Sequence, residues 1–359
     1  MGHGLAGAEP ITQSSYRDWD QFVAGHPEGT PYHLSSWKRA VEAAFGHIEG
    51  YLIAKRDPVT NRICAGIPVY LVNSHLTGRR LVSVPFAPFA GHLTTNPEDT
   101  VTLIENVSAL FKQEAVSYME VRTRRAENTF WAYRFADARC FVHHYVSLGA
   151  GLDDVYSRVH RKGLRIPIAK AQKRGLVCKT DCRREDVSVY YSIYSAARRK
   201  LGLPVMPETF FLSLWDELAP KGYLKLLFCL SDSRPIGTSL LLTFKDATII
   251  EYGHTLPGHR AYCVDPFLDS HAVRIAWERG CKYVSFGRTA LANSGLMAYK
   301  RHWGAEEELL HSYFYPAGSR SIPSQGPASW KYRTARRLCQ HCPESIYPLL
   351  SRAIYKHMG

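Results

Sequence analysis

Tyr283-Val284-Ser285-Phe286-Gly287-Arg288-Thr289, then Asn293-Ser294-Gly295, then Tyr299-Lys300-Arg301-His302-Trp303-Gly304, is the stretch on which the reading of this chain turns. Residues 283–286 read as a buried strand. Such a strand carries Arg288, Thr289, Lys300 and Arg301 to its C-terminal end, the edge at which open α/β sheets bind ligands. Asn293-Ser294-Gly295 can open the helix that bears Lys300, and free N–H groups at a helix start suit an anion. Arg288 can grip a phosphate or carboxylate through two parallel hydrogen bonds, and Lys300 can set a point charge beside a developing oxyanion. The plainer alternative makes both of them solvated surface charges; spacing alone does not separate the two readings.

Upstream of this stretch, strands are expected at Leu224–Leu230, Pro235–Phe244 and Thr248–Thr255, the last two joined by the turn Lys245-Asp246. A helix follows from about Pro266 to Arg279, with Gly280 as its C-cap. Before them come a basic helix over about 154–174, a strand at Leu176–Lys179, and helices over about 185–200 and Pro207–Leu218. A last core strand lies around Leu309–Phe314. The first half runs in the same style. Trp37, Val41, Ala44 and Phe45 recur at helical spacing. Strands follow at Gly50–Ala54, Ala65–Val72 and Arg80–Val84, then the proline- and aromatic-rich loop Pro85–Gly91, a helix at Thr100–Glu114, and strands at Ser117–Arg122 and Phe141–Leu148. Each half therefore reads helix, several strands, helix, strand, which predicts two related mixed α/β domains. A length of 359 residues agrees, being more than one core usually holds. The expected division is 1–29 (a mobile segment and first helix), 30–150, 151–316, and 317–359 (a linker and basic tail).

With 45% apolar and 21% charged residues, the chain is neither disordered nor fibrous. Its formal net charge of +13 favours anionic partners such as nucleic acid, phosphorylated substrates or an anionic membrane face. The nine cysteines are odd in number and scattered, and no basic n-region with an apolar run precedes them. Reduced thiols in a cytoplasmic protein are expected. Cys178–Cys182 and Cys339–Cys342 lack a second pair at finger spacing, so no metal is expected. No apolar run reaches the length of a membrane span. The tail from Trp330 mixes basic and apolar residues. It is read either as a helix packed on the body or as a segment that docks peripherally on an anionic membrane surface or on a partner protein.

The opening stretch resembles the FemAB-like acyltransferases of the GNAT superfamily, including those of PEP-CTERM and exopolysaccharide systems. Their hallmark is an Asp-Phe-Gly-Arg-Ser strand end, a glycine, and a Phe-Lys-x-x-Trp-Gly run. Here Ser285 stands where the family has an acid, and Tyr299 where it has phenylalanine. Three further segments are similar to the family: Arg161-Lys162-Gly163-Leu164-Arg165 through Leu176, Arg198 through Pro207, and Gly78 through Gly91. The likeness spans about residues 30–316. It implies an α/β fold of tandem GNAT-like domains with mixed central sheets. It also implies transfer of an acyl or aminoacyl group to an amine, in cell-envelope or exopolysaccharide metabolism.

Within that frame Lys300, Arg288, Glu251 and His254 are the expected catalytic residues. Lys300 and Arg288 would stabilise charge, and Glu251 or His254 would take the proton an acceptor ammonium must lose before it attacks. Arg161, Arg165, Tyr194, Arg198 and Arg301 are expected to bind substrate. Arg161 and Arg165 lie in a basic segment attractive to a diphosphate or an RNA backbone, though a solvated helix face would look the same. Tyr190, Tyr191 and Tyr194 share helical spacing with Arg198, as core packing or as an acceptor pocket. No cofactor is expected to stay bound; the donor would be acyl-CoA or aminoacyl-tRNA, and the acceptor a small-molecule or envelope-precursor amine. The Gly258-His259-Arg260-Ala261 loop only weakly matches an acyl-CoA pyrophosphate loop. A peptidoglycan-bridge type aminoacyl-tRNA-dependent transferase and a non-catalytic nucleic-acid-binding scaffold are the alternatives.

Overall fold

The computed structural model describes residues 8–76, 78–94, 96–317 and 330–357. The chain forms two compact units: residues 1–141 with 309–324 and 356–359, and residues 142–308 with 325–355. The strands are β1 (Ala8–Pro10), β2 (Ile48–Arg56), β3 (Ile63–Ser74), β4 (Gly78–Val82), β5 (Tyr118–Thr123), β6 (Ala136–Ser147), β7 (Val177–Lys179), β8 (Leu224–Ser231), β9 (Arg234–Phe244), β10 (Ala247–Thr255), β11 (Tyr283–Ala290) and β12 (Glu306–Tyr315). The helices are α1 (Tyr16–Gly25), α2 (Ser35–Ala44), α3 (Pro97–Gln113), α4 (Asn128–Ala132), α5 (Leu152–Arg158), α6 (Ile166–Lys173), α7 (Asp186–Leu201), α8 (Glu208–Leu218), α9 (Val264–Glu278), α10 (Ser294–His302), α11 (Trp330–His341) and α12 (Tyr347–Tyr355).

In unit 1 the strand order is β1-β2-β3-β4-β5-β12. The first three pairs are antiparallel, and β4 then runs parallel to β5. Two helices stand between β1 and β2, and α3 makes the crossover from β4 to β5. Leu103, Ile104, Val107 and Leu110 on α3 sit at helical spacing and pack with Ile67, Val69, Leu81, Met119 and Val121. Period-3.6 and period-2 apolar patterns meet in one core.

Unit 2 repeats the plan as β7-β8-β9-β10-β11-β6. Its pairs from β7 to β10 are antiparallel, and β10–β11 is parallel. Again two helices, α7 and α8, separate the first two strands, and α9 is the parallel crossover. Phe267, Leu268, Ala272, Val273 and Ala276 of α9 pack on Leu241, Val284 and Phe286. Unit 1 takes its sixth strand, β12, from beyond unit 2's stretch of sequence, whereas β6, the sixth strand of unit 2, directly precedes that unit's other elements. β12 lies antiparallel to β5, from His311↔Thr123 to Tyr315↔Met119. β6 borders β11, where Leu148 N donates to Lys282 O at 2.8 Å.

The basic segment is not the single helix expected over 154–174. It breaks into α5, a π-helical turn at Arg161–Arg165, and α6. Pro167 has no N–H to continue the α-helical ladder. Gly163 lies so close to α10 that a Cβ there would sit 2.4 Å from His302 Nδ1. The segment from 318 to 329, expected to be a linker, and residues 1–7 lie outside the described residues.

The tail forms α11 and α12, and both dock on unit 2. Tyr347, Ser351 and Tyr355 are the buried face of α12. Tyr347 Oη donates to Leu203 O at 2.5 Å, Arg199 Nε to Cys342 O at 3.0 Å, and Arg336 Nε to Leu201 O at 3.0 Å. Among the described residues, no helix is long and apolar enough to cross a membrane.

Candidate active site

The parallel pair of unit 2 comes apart part-way along. β10 and β11 are paired only from Ala247↔Tyr283 to Ile249↔Ser285. The register of β10 on β9 then slips at Glu251, and β10 runs on with β9 alone, from Tyr252↔Leu240 to Thr255↔Gly237. β11 continues to Ala290 but turns at Gly287, whose φ of 66° is a left-handed conformation that favours glycine. Two strands that part in this way leave backbone groups unpaired at the C-terminal end of a parallel pair, the place where α/β sheets take ligands.

Lys300 closes one side of this split. Asn293 caps α10 by accepting from Leu296 N at 3.2 Å, as its position in the sequence predicts. Seven residues on, the Lys300 ammonium donates to the carbonyls of Phe286, Gly287 and Arg288 at 2.5, 3.3 and 3.5 Å. Lys300 is only 5% exposed. It is therefore not the open point charge expected from sequence: its donors satisfy carbonyls that the parting of the strands leaves without partners. Burial pushes its pKa down to about 8, against the pull of Asp269 and Glu251. Asp269, from α9, accepts from Tyr299 Oη at 2.5 Å. Burial lifts the Asp269 carboxyl to about 7 although Tyr299 holds it down. Burial thus pushes both Lys300 and Asp269 towards neutrality, and each feels the other's charge.

Glu251 stands at the slip in β10, half-buried and within electrostatic reach of Lys300, Tyr190 and Tyr252. Arg288 is half-buried on β11, and its carbonyl is one of the three that Lys300 holds. His254 packs edge-on against Tyr194, their centroids 5.0 Å apart. Burial, reinforced by Arg198, pushes the His254 imidazole down to about 3. The imidazole is therefore neutral near pH 7.

Tyr194 and Arg198 do come together. The guanidinium lies 5.7 Å from the Tyr194 ring centroid and donates to Pro204 O at 3.0 and 2.8 Å. Tyr194 Oη accepts from Met206 N at 3.2 Å. These contacts bind the loop after α7 to the helix, so the Arg198–Pro207 segment is a folded corner. The Tyr190 and Tyr252 hydroxyls and His254 Nε2 are buried with no hydrogen-bond partner among the described residues. Arg161 and Arg165 are exposed on the π-helical turn. Arg301, expected to bind substrate, instead forms a two-bonded pair with Glu307 at 2.6 and 3.1 Å.

Reasoning from sequence passed over one pair entirely. His143 Nε2 lies 2.7 Å from Ser285 Oγ, and its Nδ1 lies 3.4 Å from Glu308. The next residue, His144, lies 3.5 Å from Thr289 Oγ1. Burial and the nearby Lys300 push His144 down to about 4. Ser285 Oγ also accepts from Gly287 N at 3.1 Å, which helps set the turn of β11. Two adjacent histidines in a strand were the available signal. No cluster of His, Cys, Asp and Glu among the described residues is arranged to hold a metal ion.

Residues 158–301 match the model of the acetyltransferase (GNAT) domain, a range that includes Glu251, Asp269, Arg288 and Lys300. No curated protein matches the chain by sequence. Among solved structures the chain is similar to FemX, at 14% identity and a TM-score of 0.70, over 86% of this chain and 96% of that one. It is similar to the C-terminal domain of a putative lysylphosphatidylglycerol synthetase from Agrobacterium fabrum, at 12% identity and a TM-score of 0.55, over 85% and 92%. A tandem GNAT protein from the clavulanic acid biosynthesis pathway is similar at 11% identity and a TM-score of 0.52, over 85% and 97%. At these identities the likeness is one of fold. Residues 158–301 thus match a GNAT domain, and the chain has the fold seen in FemX and the tandem GNAT protein.

Proposed function

We propose that unit 2 is an N-acyltransferase that moves an acyl or aminoacyl group from a thioester or ester donor to an amine, at the split between β10 and β11. The observation that carries this reading is the split itself, with Glu251 on one strand and the Lys300-held carbonyls on the other, inside the GNAT-matching segment. Glu251 takes one proton from the acceptor ammonium, the neutral nitrogen attacks the acyl carbon directly, and the second proton that the nitrogen sheds as the amide forms goes to the leaving thiolate or alkoxide as its bond to the acyl carbon breaks. The buried hydroxyls of Tyr190 and Tyr252 offer an acceptor hydrogen-bond partners. The exposed Arg161 and Arg165 suit the phosphates of a CoA or RNA donor. The acceptor class is an amine of a small molecule or envelope precursor.

Screening acyl-CoAs and charged tRNAs against amino-sugar and amino-acid acceptors, with product mass as the readout, tests the reading. With an active pair in hand, Glu251→Gln should slow turnover by about two decades near neutral pH, the lower end of what a lost general base costs. The loss should shrink as pH rises and the acceptor amine deprotonates in solution. A Glu251→Gln enzyme with parental rates at all pH values would remove Glu251 from the mechanism.

A further inference from the structure

The C-terminal helices have two unlike faces. The inner face of α12 is Tyr347, Ser351 and Tyr355, all buried. Outward, Leu338, Ile346 and Leu349 are 57, 52 and 67% exposed. Between the two helices lies an open groove of about 540 Å³, lined by Arg337, Leu338, His341, Cys342, Ile346 and Leu350. Its apolar floor is not covered by any described residue. Leu338, Ile346 and Leu350 come together in its lining, and apolar side chains gathered in this way on a surface mark a binding face more often than chance exposure.

The charges around the groove say what covers it. Residues 336–355 hold three arginines, Arg336, Arg337 and Arg352, against a single acid, Glu344. That acid is already paired with Arg199 at 2.8 Å. Arg337 and Arg352 are exposed and have no ion-pair partner among the described residues. Arg337 sits on the groove wall with His341, and Arg352 lies three residues from Leu349 on the same side of α12. An apolar stripe bordered by unpaired arginines, on two helices too short to cross a bilayer, has the pattern of an interfacial anchor. Aliphatic side chains enter the acyl boundary while the guanidinium groups meet lipid phosphates. A protein partner would need matching acids in fixed places; a bilayer supplies negative charge at every position.

We infer that the outer face of α11 and α12 docks on an anionic lipid surface, holding the enzyme against the membrane while its inner face stays packed on unit 2.

Flotation of the full chain with vesicles of phosphatidylcholine, alone and mixed with phosphatidylglycerol, tests this. Binding is expected to the anionic vesicles only and to fall as salt is raised. Arg337→Glu and Arg352→Glu should each weaken it about fivefold or more. Leu338→Ser, Ile346→Ser and Leu349→Ser together should abolish it with an unchanged melting temperature, because these side chains point away from unit 2. If the triple variant fails to fold, the two arginine reversals carry the test. Absence of binding to anionic vesicles, equal binding to neutral ones, or indifference to the reversals would each overturn the inference. So would concentration-dependent self-association removed by the same substitutions, which would give the face to a second copy of the chain.

Discussion

In the strand order of unit 1, β4 and β5 hold the place that β10 and β11 hold in unit 2, and both pairs are parallel for three residues. What happens next differs. In unit 1 the chain leaves β4 at Ser83, whose N–H donates to Glu120 O at 2.9 Å and whose Oγ accepts from Arg122 N at 3.1 Å. Arg122 then fills the gap. It donates to both Glu120 carboxylate oxygens at 2.7 and 3.0 Å and to the carbonyls of Val84 and Ala87 at 3.1 and 3.3 Å. In unit 2 a single ammonium from α10 serves three carbonyls, and Glu251 stands across the opening. One split is plugged with a fixed charge pair. The other is propped open by a group whose proton is loosely held. The same fold thus carries two unlike splits, and the difference lies in a few side chains.

The largest effect should come from breaking the plug. Arg122→Met removes the guanidinium that holds both Glu120 carboxylate oxygens in a buried place, at a cost of about 3–5 kcal/mol. Urea denaturation should show it as an early transition in unit 1. A loss below about 1 kcal/mol would mean that Arg122 is not what closes that split.

Lys300→Ala should cost less in stability but more in function. Three carbonyls lose their donor, worth about 1–3 kcal/mol. Because those carbonyls line the split, their displacement should also slow turnover by about two decades. Because Lys300 is buried, stability and turnover should fall together; parental values of both would show that the prop is unnecessary. Lys300→Arg should rescue only partly, because a larger planar fork does not fit the buried place from which a compact ammonium serves three carbonyls.

The pH dependence of stability separates the two halves more finely. Asp269 keeps its proton up to about 7 in the folded chain against an ordinary 3.8, so the folded state binds a proton that the unfolded chain has released. Its contribution is complete below about 4 and is lost as pH rises through about 7. Lys300 works in the opposite sense. Between about 8 and 10.5 the unfolded chain holds a proton that the folded chain has given up, so stability climbs with pH there and is lost as pH falls through 8. Asp269→Asn should flatten the acid-side slope in chemical denaturation across this range; an unchanged slope would place its origin elsewhere.

Arg301→Gln should do least. Its guanidinium is committed to Glu307 at the surface, where such pairs contribute little. Turnover and melting temperature should stay close to parental. A marked rise in KM would return Arg301 to substrate binding.

Much of the plan was legible because it is local. Trp37, Ala40 and Val41 on α2, and Tyr190, Ile193 and Tyr194 on α7, repeat at 3.6 residues and are buried as that period requires. Asn293 announced the start of α10. The site was less legible because it depends on pairings far apart in sequence. Nothing near Lys300 shows that it is buried; its neighbours Arg301 and His302 look like a solvated run, and only the end of β11 and Asp269 explain the burial. Ser285, which stands where the resembled family has an acid, meets His143, 142 residues away. The slip at Glu251 is a matter of strand register, which no single strand's alternation records.

The late arrival of unit 1's sixth strand bears on how the chain is made. β5 emerges from the ribosome about 190 residues before the β12 segment that pairs with it. At roughly 5–20 residues per second, its outer edge waits on the order of ten to forty seconds for its partner. During that interval Tyr118–Thr123 presents an unpaired edge, the kind of surface that recruits other chains. A ribosome that stalls before residue 311, or a fragment truncated there, would release a first half lacking its last strand. Such fragments should aggregate or be degraded instead of accumulating as folded half-proteins.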